Sequence, residues 1–211
     1  MTIYHYAVME KPEKEHTVVS LDKIDMENVD YKRQPDKDFV SQQVIESGGI
    51  TCGIVRGGMF GLATNQVWVL SAWDSLAGIL GYTQKIEGKS GYRITDQGNL
   101  TATVRPGRIA EINRDGIYVI RWIRIRSRDI DEYTGLCLET WPAFEEQSQA
   151  RCYGVFRPLE EDEISTILML TWYSTLNDWE NSRQFDPSDL PKWARRSEME
   201  LSHWADAGRL A

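Results

Sequence analysis

Residues 164–171, ISTILMLT, place the strongest constraint on how this chain can fold. The run is β-branched and aliphatic, contains no Gly or Pro, and is apolar on both alternating faces, with Ile167 and Met169 on one and Leu168 and Leu170 on the other. A strand of this kind has to be covered on both sides. After Trp172 the period changes: Ser174 can accept a hydrogen bond from a free N–H of a following helix, and Leu176 and Trp179 stand three apart on one helical face. A fainter copy of the stretch lies about one hundred residues earlier, in residues 65–80, NQVWVLSAWDSLAGIL. There Trp73 and Ser75 repeat the W-x-S pattern, and Leu76, Ile79 and Leu80 supply the stripe.

Two further correspondences keep nearly the same separation. Residues 17–24, TVVSLDKI, answer 117–124, and GIVR at 53–56 answers GVFR at 154–157. Three matches in one order imply two β-α-β-β-α halves, each a ferredoxin-like unit of the split βαβ kind. A chain of 211 residues is long enough for two halves of about 100 residues. The expected division is an N-terminal arm at 1–16, whose residues 2–9 read as a short strand or an ordered arm, a first repeat at 17–105 and a second at 117–211 ending in a C-terminal helix, with PGRIAEINRDG between the repeats. Because the 164–171 strand is apolar on both faces, the sheets of the two halves should pack together or close into a barrel.

Along the chain, the pattern predicts a short helix over 38–47 capped by Asp38 and ended by Gly48-Gly49, a strand over 50–56, and a turn at GGMFG. A strand over 66–72 leads into the helix after Ser75. Residues 87–99 read as a polar, Gly-rich loop before a strand at 100–105. In the second half, 117–126 (IYVIRWIRIR) is a strand, Asp129 or Asp131 caps a helix that Pro142 should kink or break, and 150–157 is a strand. The region from Leu190 to Trp204 reads as one helix with Leu190, Trp193, Leu201 and Trp204 near one face.

The order of a strand, a helix carrying WPAFE at 141–145, the GVFR strand, an apolar strand, W-x-S and a helix resembles the dimeric α/β-barrel superfamily, which holds antibiotic-biosynthesis-type monooxygenases and NIPSNAP-like proteins. The resemblance covers most of 117–183 and, more weakly, 17–80. It implies an α+β fold of two tandem ferredoxin-like repeats forming a dimeric α/β-barrel-type structure with antiparallel sheets, a homodimer, and a cavity. It does not by itself imply one reaction, because members include cofactor-independent oxygenases, haem-degrading enzymes, isomerases and lyases. The haem-degrading branch is expected to place a His in the helix after W-x-S, and residues 75–87 and 174–185 contain none. No cofactor is expected on that ground.

Net charge and cysteine usage narrow the partners. A formal charge of −8 with no basic block argues against a nucleic-acid backbone. Three Cys without a CxxC pair fit a reducing compartment, and the N-terminus lacks the apolar length of a signal peptide, so a cytoplasmic location is expected and no membrane partner. Cys52 and Cys152 fall one residue out of register and should point to opposite faces as core residues. His5, His16 and His203 stand far from one another and from the Cys, so each reads as a surface or packing His and no metal site is expected. No GxGxxG, P-loop, HExxH or GxSxG pattern occurs.

Arg121 is the most informative charge, because it interrupts the aliphatic face Ile117, Val119, Ile123, Ile125. A guanidinium there either pairs with a buried carboxylate or faces a wet cavity as an anchor for a substrate carboxylate or enolate oxygen. Trp172 and Tyr173 would position an aromatic ring beside it, and Trp73, Tyr118 and Trp122 would line the pocket; each of these aromatics is equally a core residue by its size. Two functions are open. One is a cofactor-independent monooxygenase or isomerase with a small aromatic or hydrophobic substrate. The other is a non-catalytic binding or assembly protein whose aromatic surface is filled by a partner subunit, and a barrel lumen packed solid with Trp and Leu would favour it.

Overall fold

The computed structural model describes residues 1–10, 35–89, 92–105, 112–183 and 187–211. Eight antiparallel strands close into a barrel, with helices outside it. In chain order the elements are β1 (Ile3–Glu10), α1 (Lys37–Glu46), β2 (Ile50–Phe60), β3 (Gln66–Trp73), α2 (Leu76–Lys89), β4 (Arg93–Val104), β5 (Ile117–Arg126), a 3-10 turn at Ser127–Asp129, α3 (Ile130–Ser148), β6 (Ala150–Pro158), β7 (Ile164–Tyr173), α4 (Leu176–Asn181), α5 (Leu190–Met199) and β8 (Glu200–Leu210). Around the barrel the order is β1-β3-β2-β8-β5-β7-β6-β4, β4 closing on β1. Each half is therefore β-α-β-β-α-β, and each half's last strand pairs with the other half: β4 with β6 and β8 with β2.

The two-faced apolarity of 164–171 is resolved by this closure. Leu168 and Leu170 point into the lumen with Tyr4, Val8, Trp68, Leu70, Tyr118, Ile120, Trp122 and Phe156, which pack into one buried cluster. Ile167 and Met169 point outward into a second cluster beneath α3, with Ile123, Tyr133, Cys137 and Trp141. The first half repeats the arrangement, Val67 and Val69 packing outward against Val40, Val44, Ile79 and Tyr82 of its helices. Cys52 joins the lumen cluster and Cys152 the outer one, as their register requires. A bulge between Thr51 and Gly53 in β2 has its counterpart between Cys152 and Gly154 in β6, so Cys52 corresponds to Tyr153 and Cys152 to Thr51.

The structure departs from the sequence reading in several places. Of the two readings of the N-terminal residues, a short strand or an arm, the strand is observed: β1 is bonded on both sides, to β3 and β4, and takes the place in the first half that β5 takes in the second. The 17–24 strand lies outside the described residues. β2 runs through GGMF to Phe60, and the reversal falls at Gly61, with φ +79. β4 begins at Arg93, inside the segment read as loop: its polar residues stay exposed or half-buried while the strand pairs with β1. The helical reading of 190–204 holds only to Met199; residues 200–210 are β8, the strand that joins the two halves.

Caps shift by one or two residues. Asp36 rather than Asp38 caps α1, its carboxylate accepting from the N–H groups of Asp38 and Phe39. Ser75 accepts from Gly78 N, whereas Thr175 rather than Ser174 caps α4, and Ser174 instead donates to Asp178. α3 continues unbroken through Pro142. A 430 Å³ cavity lies against its buried face.

Candidate functional site

The cavity sits outside the barrel, between the second half's sheet and its helices. Its floor is Arg121 and Ile123 of β5, Cys152 of β6, and Met169, Thr171 and Tyr173 of β7. Trp141 and Phe144 of α3, Trp179 of α4 and Trp193 of α5 wall it, and β8 adds His203 and Ala205. A few polar groups in an aromatic enclosure of this size match the usual dimensions of a small-molecule site.

Arg121 lies on the outward face of β5, and its guanidinium is held by hydroxyls. Nη1 donates to Thr171 Oγ1 at 3.2 Å and Nη2 to Tyr173 Oη at 3.1 Å. Among the described residues no carboxylate pairs with it, so of the two sequence readings the internal salt bridge is not the one observed. Hydroxyls orient a guanidinium without cancelling its charge. Among the described residues the remaining charges of the cavity are mostly positive, with Arg183 over the Trp179 ring at 5.9 Å and Arg196 in the wall against a single carboxylate, Glu200.

His203 stands at the rim, its side chain 63% exposed, with Nδ1 2.9 Å from Glu200 Oε2. With Nδ1–H given to the carboxylate, Nε2 is left as a proton acceptor. The Glu200 carboxylate also accepts from Tyr133 Oη at 2.9 Å. Burial pushes the Cys152 thiol well above its ordinary pKa, so it remains a neutral part of the floor.

Of the residues singled out by sequence, the structure brings Arg121 and Tyr173 together. It places Trp172 on the opposite face, where its Nε1 donates to Asp115 O at 3.1 Å and its ring stacks under Arg114 at 5.4 Å. Tyr118 is in the lumen, its hydroxyl donating to Arg114 O and accepting from Arg114 N. Trp122 is also in the lumen, its Nε1 donating to Asp206 Oδ2 at 2.8 Å beside Tyr6. Trp73 packs under α1 and α2 and donates to Ser71 Oγ at 2.8 Å. Tyr118 and Trp122 pack into the lumen cluster, and Trp122 also lines a pocket of about 630 Å³ with Tyr6, Leu100, Trp204 and Asp206. Sequence reasoning misses Arg196, Glu200, His203 and the aromatic wall; Trp141 and Phe144 lie on a helix stripe that reads as core, and the alternation of 200–210 that would have placed His203 reads as helix.

A haem does not fit this donor set. An iron of that kind needs an axial ligand such as imidazole, thiolate or phenolate. The helices over the cavity present indole and phenyl rings, Cys152 is protonated, Tyr173 is engaged by Arg121, and His203 is an exposed strand residue bound to Glu200. Among the described residues no group of three or more His, Cys, Asp or Glu is placed to hold a metal ion. No described helix is long and apolar enough to cross a membrane.

The α+β fold with its eight antiparallel strands is shared with several solved structures. An anthrone oxidase-like protein superimposes with a TM-score of 0.63 at 10% identity, covering 99% of this chain and 91% of its own. A single-site variant of the chlorite dismutase from Candidatus Nitrospira defluvii gives 0.55 at 9% identity, covering 100% and 91%. A protein assigned by inference as a monooxygenase, from Fusobacterium nucleatum, gives 0.56 at 8%, covering 99% and 92%. Identities this low establish a shared fold. No family model matches the chain, and no curated protein matches it.

Proposed function

We propose that the chain is a cofactor-independent oxygenase whose cavity binds a small aromatic molecule through an acidic phenol, enol or ketone oxygen. The observation that carries this reading is Arg121: a cation without a carboxylate partner among the described residues, braced by Thr171 and Tyr173, in the floor of an aromatic cavity. A fixed positive charge in a poorly hydrated site stabilises an oxyanion that forms there. An anthrone-type substrate illustrates the chemistry, and the anthrone oxidase-like neighbour lends it support. Its carbonyl oxygen would lie on Arg121, and His203 Nε2, with Nδ1 held by Glu200, would take a proton from the methylene carbon. The enolate so formed is itself the reductant for dioxygen. The methylene becomes a carbonyl, one oxygen atom stays on carbon, and the other leaves as water with the two hydrogens.

The test is a thermal-shift screen against aromatic acids, phenols and quinones, followed by oxygen uptake with anthrone in metal-chelated buffer. The expected result is stabilisation by at least one ring system and oxygen consumption that falls in Arg121→Met. A library that shifts nothing, together with no oxygen uptake, overturns the reading.

The aromatic and aliphatic packing within the lumen favours a second reading, a non-catalytic assembly protein. Leu76 and Leu80, exposed on one side of α2, would then seat against a second copy in a homodimer. Light scattering of Leu80→Glu decides it: a dimer lost without change in ligand binding supports assembly through that face, and an unchanged mass overturns it.

A further inference from the structure

We propose that the ligand of this cavity also carries a carboxylate and that Arg196 is its anchor; this rests on the small-molecule reading above. Arg196 lies near the end of α5 with only 5% of its surface exposed. Its guanidinium is sandwiched between the rings of Trp193 at 4.4 Å and Tyr133 at 4.8 Å. Nη2 donates to Tyr133 Oη at 3.0 Å, but Nε and Nη1 are buried and have no hydrogen-bond partner among the described residues.

The nearby acid does not satisfy them. Glu200 spends Oε1 on the Tyr133 hydroxyl and Oε2 on His203. A buried guanidinium with idle donors is an unfavourable arrangement that an anion relieves. Nη2 has a second N–H, and the idle nitrogen on the same side can join it in a two-point grip on both oxygens of a carboxylate, the geometry for which guanidinium is suited. Trp193 shares the cavity wall and lies over the guanidinium, so its ring swings aside to admit the carboxylate. With Arg121 in the floor taking the ring oxygen, the ligand class is an aromatic acid that also bears a phenolic or enolic oxygen.

The experiment uses three probes of one ring size, 1-naphthoate, 1-naphthamide and 1-naphthol, titrated calorimetrically into the intact protein and into Arg196→Gln, Arg196→Lys and Arg121→Gln. Naphthoate is expected to bind the wild type at least about 10-fold more tightly than the amide. That preference should vanish in Arg196→Gln, return in part in Arg196→Lys, and persist in Arg121→Gln, where naphthol affinity falls instead. Equal binding of naphthoate and naphthamide by the wild type overturns the carboxylate site while leaving the small-molecule reading intact. A preference that survives Arg196→Gln and collapses in Arg121→Gln overturns the assignment to Arg196. Failure of all three probes to bind overturns the reading on which it rests. The wild-type comparison of acid and amide stands even if Arg196→Gln does not fold.

Discussion

Replacing Arg121 by Met separates an anchor from a structural ion pair, because the two roles predict opposite changes in stability. A buried salt bridge that loses one partner leaves an uncompensated charge and typically costs about 3–5 kcal/mol. Arg121 has no such partner among the described residues: its N–H groups meet Thr171 and Tyr173 hydroxyls, which can turn to water or to each other once it is gone. Met fills a similar volume beside Ile123 and Met169 without needing hydration. Unfolding free energy should therefore stay within about 1 kcal/mol of wild type or rise slightly, which for a chain this long is a melting shift of about 2–4 °C at most. Binding should move the other way. A hydrogen bond to a charged group contributes about 1.5–3 kcal/mol, so affinity for a phenolate or enolate should fall about 10- to 150-fold. Differential scanning calorimetry and titration calorimetry on the same preparation measure both. A melting temperature lowered by about 10 °C or more, several times that limit, with ligand affinity unchanged, would refute the argument and return Arg121 to the status of a core residue.

Tyr118→Phe removes the hydroxyl that both donates to and accepts from the Arg114 backbone, and should lower stability by about 1–2 kcal/mol in urea denaturation while ligand affinity stays the same. A loss of affinity would put Tyr118 back in the binding site. Gly116 has φ +143, and an added Cβ would collide with both Trp172 Nε1 and Tyr173 O, so Gly116→Ala should destabilise by about 2–4 kcal/mol; a chemical-denaturation midpoint equal to wild type would contradict it. His5 is buried on the outer face of β1 with Nδ1 against Asn99 Oδ1, and burial lowers its pKa below the ordinary value. The unfolded chain then binds a proton that the folded one refuses, so this contribution to stability is intact above about pH 6.5 and is lost as pH falls toward the folded-state pKa. His5→Asn should flatten that part of the pH–stability curve, and an identical curve for the variant would show the proton is taken up elsewhere.

The β5 and β7 strands can be read directly from sequence because their apolar runs are long and undisturbed by turn residues. β8 cannot. Its residues, ELSHWADAGRL, contain one large aromatic and several charges, and Leu190, Trp193, Leu201 and Trp204 happen to fall near helical spacing across the boundary at Met199. What makes β8 a strand is non-local pairing: it fills the gap between β2 and β5, where two sheet edges would otherwise be left with unsatisfied backbone groups. β1 reads as either a short strand or an arm for a similar reason, since its pairing with β3 and β4 is invisible until the barrel closes. The site suffers from a different error. Matching Trp73 to Trp172 through the W-x-S motif puts both on one face, but the strand pairings match Trp73 to Tyr173, one residue further on: Ile3 stands opposite Trp73 as Ile117 stands opposite Tyr173. A slip of one residue sends a side chain to the other side of a sheet. For that reason Tyr173 meets Arg121 while Trp172 caps the lumen.

That same register shows how the two halves differ beneath their helices at the place of Arg121. Counting from Ile3 and Ile117, Ala7 of β1 holds the place of Arg121, Ser71 the place of Thr171, and Trp73 the place of Tyr173. In the first half the small Ala7 makes no demand for a polar neighbour, and the Trp73 indole turns inward to donate to Ser71, filling the space beneath α1 and α2 with Ile79 and Tyr82. In the second half the guanidinium occupies the position of the methyl group, draws the Thr171 and Tyr173 hydroxyls to it, and cannot be sealed over by apolar side chains without losing its remaining hydration. The helix layer accommodates this by dividing into α4 and α5, whose Trp179 and Trp193 stand at the walls rather than in the centre. One sheet scaffold thus yields a packed face and an open one, and the difference traces to the residue at a single outward position of the first strand in each half.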